Sequence, residues 1–242
     1  MKDRPTLLYR YVNSETAWKC LKEASLAFTP PIRFNDPFDT NPALDFDLSK
    51  EQIKALSEEC PPGKTFDRAS IEAAMLENRK EFMETLIGAA CFSSKANDPL
   101  MWAHYGDRHR GVMIGFDATH SEFLGANPVS YTQKRPHVDI DGPGVFQKLL
   151  VKSKVWKGED EWRMTAWLSA CEIKMISDTP VYIQHLERNC FASITFGCKA
   201  EEAFVVAVMN SLERWNLKHC EMWRVRLCEK TYHLMPERIN IT

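Results

Sequence analysis

Hydrophobic and polar positions alternate through LLYRYV, residues 7–12, which predicts a strand. The pattern then changes to helical spacing, with Ala17, Trp18, Leu21 and Ala24 on one face behind a cap at Asn13 or Ser14. LAFT (26–29) predicts a second short strand, and the following PPIRFNDPFD carries three prolines and cannot be a helix interior. Ser49 with Gln52 predicts a capping box ahead of Ile53 and Leu56. Asp67 predicts the cap of a longer helix through Ile71, Met75, Phe82 and Met83 to Leu86, so residues 48–87 read as a helical insertion. GAACFSS (88–94) and GVMIGFD (111–117) read as core strands, separated by Asp98-Pro99, a cap and first-turn proline for LMWAHYG. EWRMTAWL, VYIQHL, FASITFG and MWRVRL predict later strands, and residues 199–215 a late helix with Phe204, Val205, Val208 and Leu212 inward. Strands and helices mix without regular alternation, which predicts an α+β fold with a mixed or antiparallel sheet and flanking helices.

Composition narrows the class. A chain of 242 residues, 44% hydrophobic with seven tryptophans and thirteen phenylalanines, can pack a substantial core, and a single domain over 1–242 is the expectation. The net charge of -2 gives no general electrostatic case for nucleic acid or anionic lipid. The eight cysteines, Cys20, Cys60, Cys91, Cys171, Cys190, Cys198, Cys220 and Cys228, include no CxxC pair and read as buried thiols. The opening MKDRPTLLYRYV has no apolar signal core, and no run is long enough to cross a bilayer. The expectation is therefore a cytoplasmic protein with no membrane partner, although export as an effector by a specialised system would leave no such mark.

Candidate chemistry follows from spacing. His104 and His109 are five apart, not the four that would stack two ligands on adjacent helical turns, and no glutamate completes an HExxH pattern, so no metal is expected. Neither GxGxxG after the first strand nor GxxxxGK[ST] occurs. In FNDPFD, Asn35, Asp36 and Asp39 surround Pro37, where Asx turns can close; Phe34 and Phe38 would anchor that loop in the core, or the loop would touch a ligand. Glu159 and Glu161 stand one residue apart at the mouth of a strand. There, two carboxylates can converge on one group, and their repulsion tends to raise one pKa. The same spacing is met by a solvated edge in which Glu159, Asp160 and Glu161 answer Lys152, Lys154 and Lys157.

LYRY (8–11), FNDPFD (34–39), CFSS with Asn97, LMWAHYGDRHRGVMIGFD (100–117) and KVWKGEDEWRM (154–164) together resemble the bacterial domain of unknown function 2971 family. More distantly, their order resembles the ADP-ribosyltransferase superfamily, built from a first-strand arginine or histidine, a second-strand serine or tyrosine and a later glutamate, often within ExE. That resemblance implies a split sheet and places Arg10, Ser93 and Glu161 in those three roles, with CFSS departing from the usual serine-threonine-serine run. It implies NAD as substrate. Glu161 would stabilise oxocarbenium-like charge on the ribose, and Glu159 would handle the acceptor. Tyr9, Arg10, Asn35, Asp36, Ser93, His104, Tyr105 and His109 would contact the nucleotide. The acceptor, protein or nucleic acid, and the oligomeric state are not given by the sequence. Trp102 and the histidines of LMWAHYG fit a core-facing helix equally well. The leading expectation is an NAD-cleaving, ADP-ribosyltransferase-like enzyme of a toxin, defence or modification system. Two rivals stand beside it: a non-enzymatic module in which Trp102, Tyr105 and the FNDPFD loop bind a ligand or partner, and a metal-dependent nuclease or hydrolase using Asp36, Asp39, Glu159 and Glu161.

Overall fold

The structure is a computed structural model and describes residues 3–40, 43–44, 54, 69–70, 73, 77, 81–138 and 149–239. Its strands are β1 (Leu7–Val12), β2 (Ser25–Phe28), β3 (Ala43–Leu44), β4 (Ile87–Ser93), β5 (Val112–Asp117), β6 (Asn127–Pro128), β7 (Ser130–Thr132) and β8 (His137–Val138). They continue with β9 (Val151–Ser153), β10 (Glu161–Trp167), β11 (Glu172–Ile176), β12 (Thr179–His185), β13 (Phe191–Phe196), β14 (Glu221–Leu227) and β15 (Leu234–Arg238). Among the described residues, the α-helices include α1 (Ser14–Glu23), α2 (Pro99–His104) and α3 (Glu202–Met209).

Eight strands form one sheet in the order β15-β14-β13-β5-β1-β4-β10-β6, antiparallel except where β13 runs parallel to β14. Among the described residues, a second sheet, β11-β12-β2, meets the first through an isolated bridge between Thr29 and Ala89. The class is α+β, as the mixed pattern predicts. Among the described residues no helix is long and apolar enough to cross a membrane.

Local chemistry accounts for the early elements. In β1, Leu8 and Val12 project to the main core, while Tyr11 joins a second cluster with Met101, Trp102 and Met113 on the other face. The Asn13 side chain caps α1 by accepting from the Thr16 amide, and Ala24 ends it in the left-handed region at φ 46°. Asp98 caps α2 by accepting from the amides of Leu100 and Met101, with Pro99 in the first turn.

The late helix is shorter than its apolar spacing predicts: α3 ends at Met209, and turns follow. There, the Ser211 hydroxyl donates back to the Ala207 carbonyl, a bond that competes with continuation of the helix. The predicted insertion at 48–87 lies almost wholly outside the described residues; its end, Phe82–Leu86, is a π-helical turn that runs into β4. The thiols are not uniformly buried: Cys20, Cys190 and Cys220 are, whereas Cys91, Cys171, Cys198 and Cys228 are partly exposed.

One irregularity of the main sheet opens a cavity. β1 and β4 are sheet neighbours but pair only at Tyr9 and Ser93. A cavity of about 280 Å³ is lined by residues 9–12 of β1, by Ala89, Cys91 and Phe92 of β4, and by Thr29 beside the bridge to the second sheet.

Candidate functional site

Across the sheet, Tyr9, Ser93 and Glu161 stand in register, so their side chains share a face. Arg10, next to Tyr9, leaves on the opposite face. Arg10 and Glu161 nevertheless line the same cavity, together with Tyr9, Asn35, Asp39, Tyr105, Lys152 and Glu159. The fork between β1 and β4 is what lets side chains from two faces reach one space.

Glu159 ends a short 3-10 turn, Lys154–Glu159, and Glu161 begins β10. Between them Asp160 takes the left-handed conformation at φ 50°. The two carboxylates do converge, but on a residue of the protein. Lys152, on β9, places its Nζ 2.5 Å from Glu159 Oε2, 2.9 Å from Glu161 Oε2 and 3.5 Å from Asp39 Oδ2, with its side chain 3% exposed. Arg163, wholly buried on β10, donates from Nε to Glu161 Oε1 at 2.6 Å and from Nη2 to Asp39 Oδ2 at 2.7 Å. Three carboxylates thus face two cations, leaving one net negative charge on this wall.

The solvated-edge reading of Glu159 and Glu161 is therefore replaced by a buried ion network with Lys152 inside it. The expected raising of a pKa by mutual repulsion also fails for Glu161. Burial alone would raise its carboxyl, but the charges and hydrogen bonds of Arg163, then Lys152, outweigh burial and hold it below the usual carboxylate range. Burial likewise pushes Lys152 toward losing its proton, and the charges of Glu161, Asp39 and Glu159 reverse that, so the ammonium is held firmly. The Tyr105 hydroxyl donates to Glu159 Oε1 at 2.7 Å; burial first, then that bond, raises its pKa.

Arg10 sits over the Phe92 ring at 5.9 Å and donates from Nη2 to the Ala27 carbonyl at 3.1 Å, while its buried Nη1 has no partner. The loop of FNDPFD is pinned by an Asx turn, Asp36 Oδ1 accepting from the Phe38 amide, and by Trp156, which donates from Nε1 to Asp36 Oδ2 at 2.6 Å. Phe38 does not anchor it: that ring is 62% exposed. Phe34 lines the cavity beneath the Arg163 guanidinium.

Four of the expected contact residues lie elsewhere. Ser93 is fully buried and outside the lining, its hydroxyl donating to the Glu159 carbonyl at 2.6 Å and accepting from the Lys95 amide at 3.0 Å. Asp36 is engaged by Trp156 and lines a neighbouring groove. His104 is exposed with its ring 6.0 Å from Trp156, and His109 stacks on Trp102; neither histidine is in the cavity lining. Tyr9, Arg10, Asn35, Tyr105, Glu159 and Glu161 do meet at the cavity. Lys152 and Arg163 were not anticipated as site residues, yet each carries a signal: a full charge inside an apolar strand run, which requires a buried partner.

The nuclease reading drew on Asp36, Asp39, Glu159 and Glu161. Of these, Asp39, Glu159 and Glu161 turn onto Lys152 and Arg163, and among the described residues no group of three or more His, Cys, Asp or Glu side chains is arranged to hold a metal ion.

Residues 101–164, from α2 through β5 to the start of β10, are similar to the family described as Protein of unknown function (DUF2971). That stretch covers Tyr105, Lys152 and both glutamates but not Arg10, Asp39 or Ser93. No curated protein and no solved structure matches the chain.

Proposed function

We propose that the cavity binds a nucleotide and cleaves it at the glycosidic bond, with NAD as the substrate. The observation that carries this reading is the pairing, in one lining, of the partnerless Arg10 Nη1 with a carboxylate wall that keeps one net negative charge. Arg10 would take a phosphate oxygen, and Glu159 and Glu161 the ribose hydroxyls. At about 280 Å³ the cavity accommodates a sugar and its base, so the rest of a dinucleotide would extend beyond it.

The protonation state of the wall selects the bond. Glu161 is held ionised, no histidine is in the lining among the described residues, and Lys152, Tyr9, Tyr11, Tyr105 and Cys91 all hold their protons more tightly than usual. Such a site stabilises positive charge but is poorly equipped to protonate a leaving group. The N-glycosidic bond of NAD suits it. When that bond breaks, its electron pair returns to the pyridinium nitrogen, nicotinamide departs neutral without taking a proton, and the positive charge passes to the ribose facing Glu161.

A second reading is favoured by a specific observation: all four oxygens of Glu159 and Glu161 already have donors. A network so complete also fits a rigid, non-catalytic binding module. Nicotinamide release from NAD by the wild type and by Glu161→Gln separates the two readings. Turnover in the wild type that Glu161→Gln loses supports the enzyme, binding without turnover supports the module, and absence of NAD binding removes the NAD reading.

A further inference from the structure

Asp39, Glu159 and Glu161 bring six carboxylate oxygens to this network, and five of them have a donor. Glu159 Oε1 accepts from Tyr105 and Oε2 from Lys152; Glu161 Oε1 accepts from Arg163 and Oε2 from both cations; Asp39 Oδ2 accepts from Arg163. The sixth, Asp39 Oδ1, is buried with no partner at all, on a residue that lines the cavity. Leaving a buried acceptor unpaired costs about 1–3 kcal/mol, more for a charged one, so such an atom in a cavity lining marks a place for a donor from outside the protein. Its orientation is set: Arg163 grips Oδ2, and the Asp39 amide donates to the Asp36 carbonyl at 3.0 Å within the pinned loop.

We propose that Asp39 is a specificity-determining residue whose Oδ1 accepts a hydrogen bond from an uncharged N–H or O–H donor on the bound ligand and excludes a ligand presenting an anion there. The proposal rests on the reading of the cavity as an NAD site, and within that reading the donor is the carboxamide N–H of nicotinamide. Arg10 Nη1 and Asp39 Oδ1 then form a complementary pair, one requiring an acceptor and the other a donor. A buried polar group that a ligand leaves unmatched discriminates far more strongly than a change in apolar bulk. A nicotinic acid moiety would bring a carboxylate with no proton to donate against Asp39 Oδ1, an acceptor oxygen that needs a donor.

The test compares NAD with its deamidated analogue, nicotinic acid adenine dinucleotide, by calorimetric titration of the full chain carrying Glu161→Gln, so that turnover does not intrude. The analogue is expected to bind at least about tenfold more weakly, a difference of about 1.4 kcal/mol. Asp39→Asn, added to that background, is expected to abolish or invert the preference, because its amide oxygen stays on Arg163 and its N–H₂ turns a donor toward the ligand. Equal binding of the two dinucleotides, or a preference that survives Asp39→Asn in a folded chain, overturns the role of Asp39 while leaving NAD binding intact. Absence of binding to either one overturns the NAD reading and Asp39 with it. The comparison of dinucleotides needs no change at Asp39, so it decides even if Asp39→Asn fails to fold.

Discussion

The Lys152 ammonium and the Glu161 carboxylate lie 2.9 Å apart, each almost removed from solvent, at the wall of a cavity where two strands part. Burying either charge alone would cost several kcal/mol, and the pair is tolerable because Arg163, Glu159 and Asp39 complete it.

Removing the ammonium should therefore unbalance the whole wall. Lys152→Met is expected to lower stability by about 3–5 kcal/mol, the cost of leaving buried carboxylates short of a partner, while Lys152→Arg, which keeps the charge, should lose less. Urea denaturation of the three proteins at neutral pH checks this; an unchanged midpoint in Lys152→Met would show that the network contributes little.

The same network sets an acid limit. Because the folded Glu161 carboxyl lies below its unfolded value, its contribution is complete above about pH 4.3, the ordinary glutamate value, and is lost as pH falls through the depressed folded value. Glu161→Gln should flatten this part of the stability curve between pH 5 and pH 3. Urea midpoints across that range, with parallel curves for both proteins as the contrary result, test it.

Ser93 should matter for folding rather than for the ligand. Its hydroxyl spends its hydrogen bonds on the Glu159 carbonyl and the Lys95 amide and does not line the cavity. Ser93→Ala is expected to cost about 1–3 kcal/mol in stability with NAD affinity changed by less than about threefold, which is below 1.4 kcal/mol. A variant of undiminished stability whose ligand binding is lost would return Ser93 to a contact role.

Gly197 follows β13 and packs against the loop after α2. An added Cβ would lie 2.1 Å from the His109 carbonyl oxygen and 2.7 Å from its carbon, both backbone atoms that cannot swing aside. Gly197→Ala should destabilise by about 1–3 kcal/mol through forced backbone shifts, read as a lower melting temperature. A melting temperature matching the wild type would mean that the loop yields freely.

Much of the local architecture was legible from period and capping chemistry alone, because those signals act within a few residues. Alternation marks β1, the Asn13 and Asp98 side chains mark the starts of α1 and α2, and apolar runs mark β4, β5 and β10. The proximity of Glu159 and Glu161 is also local, since a single left-handed residue, Asp160, separates them. What faces the two glutamates is not local. Lys152 reaches them from β9, Asp39 enters from a loop more than a hundred residues earlier, and Arg10 joins from the opposite face only because β1 and β4 separate beyond Tyr9 and Ser93. Sequence spacing located the charges; whether they faced water, a ligand or one another depended on strand order and on where the sheet divides, which long-range pairing decides.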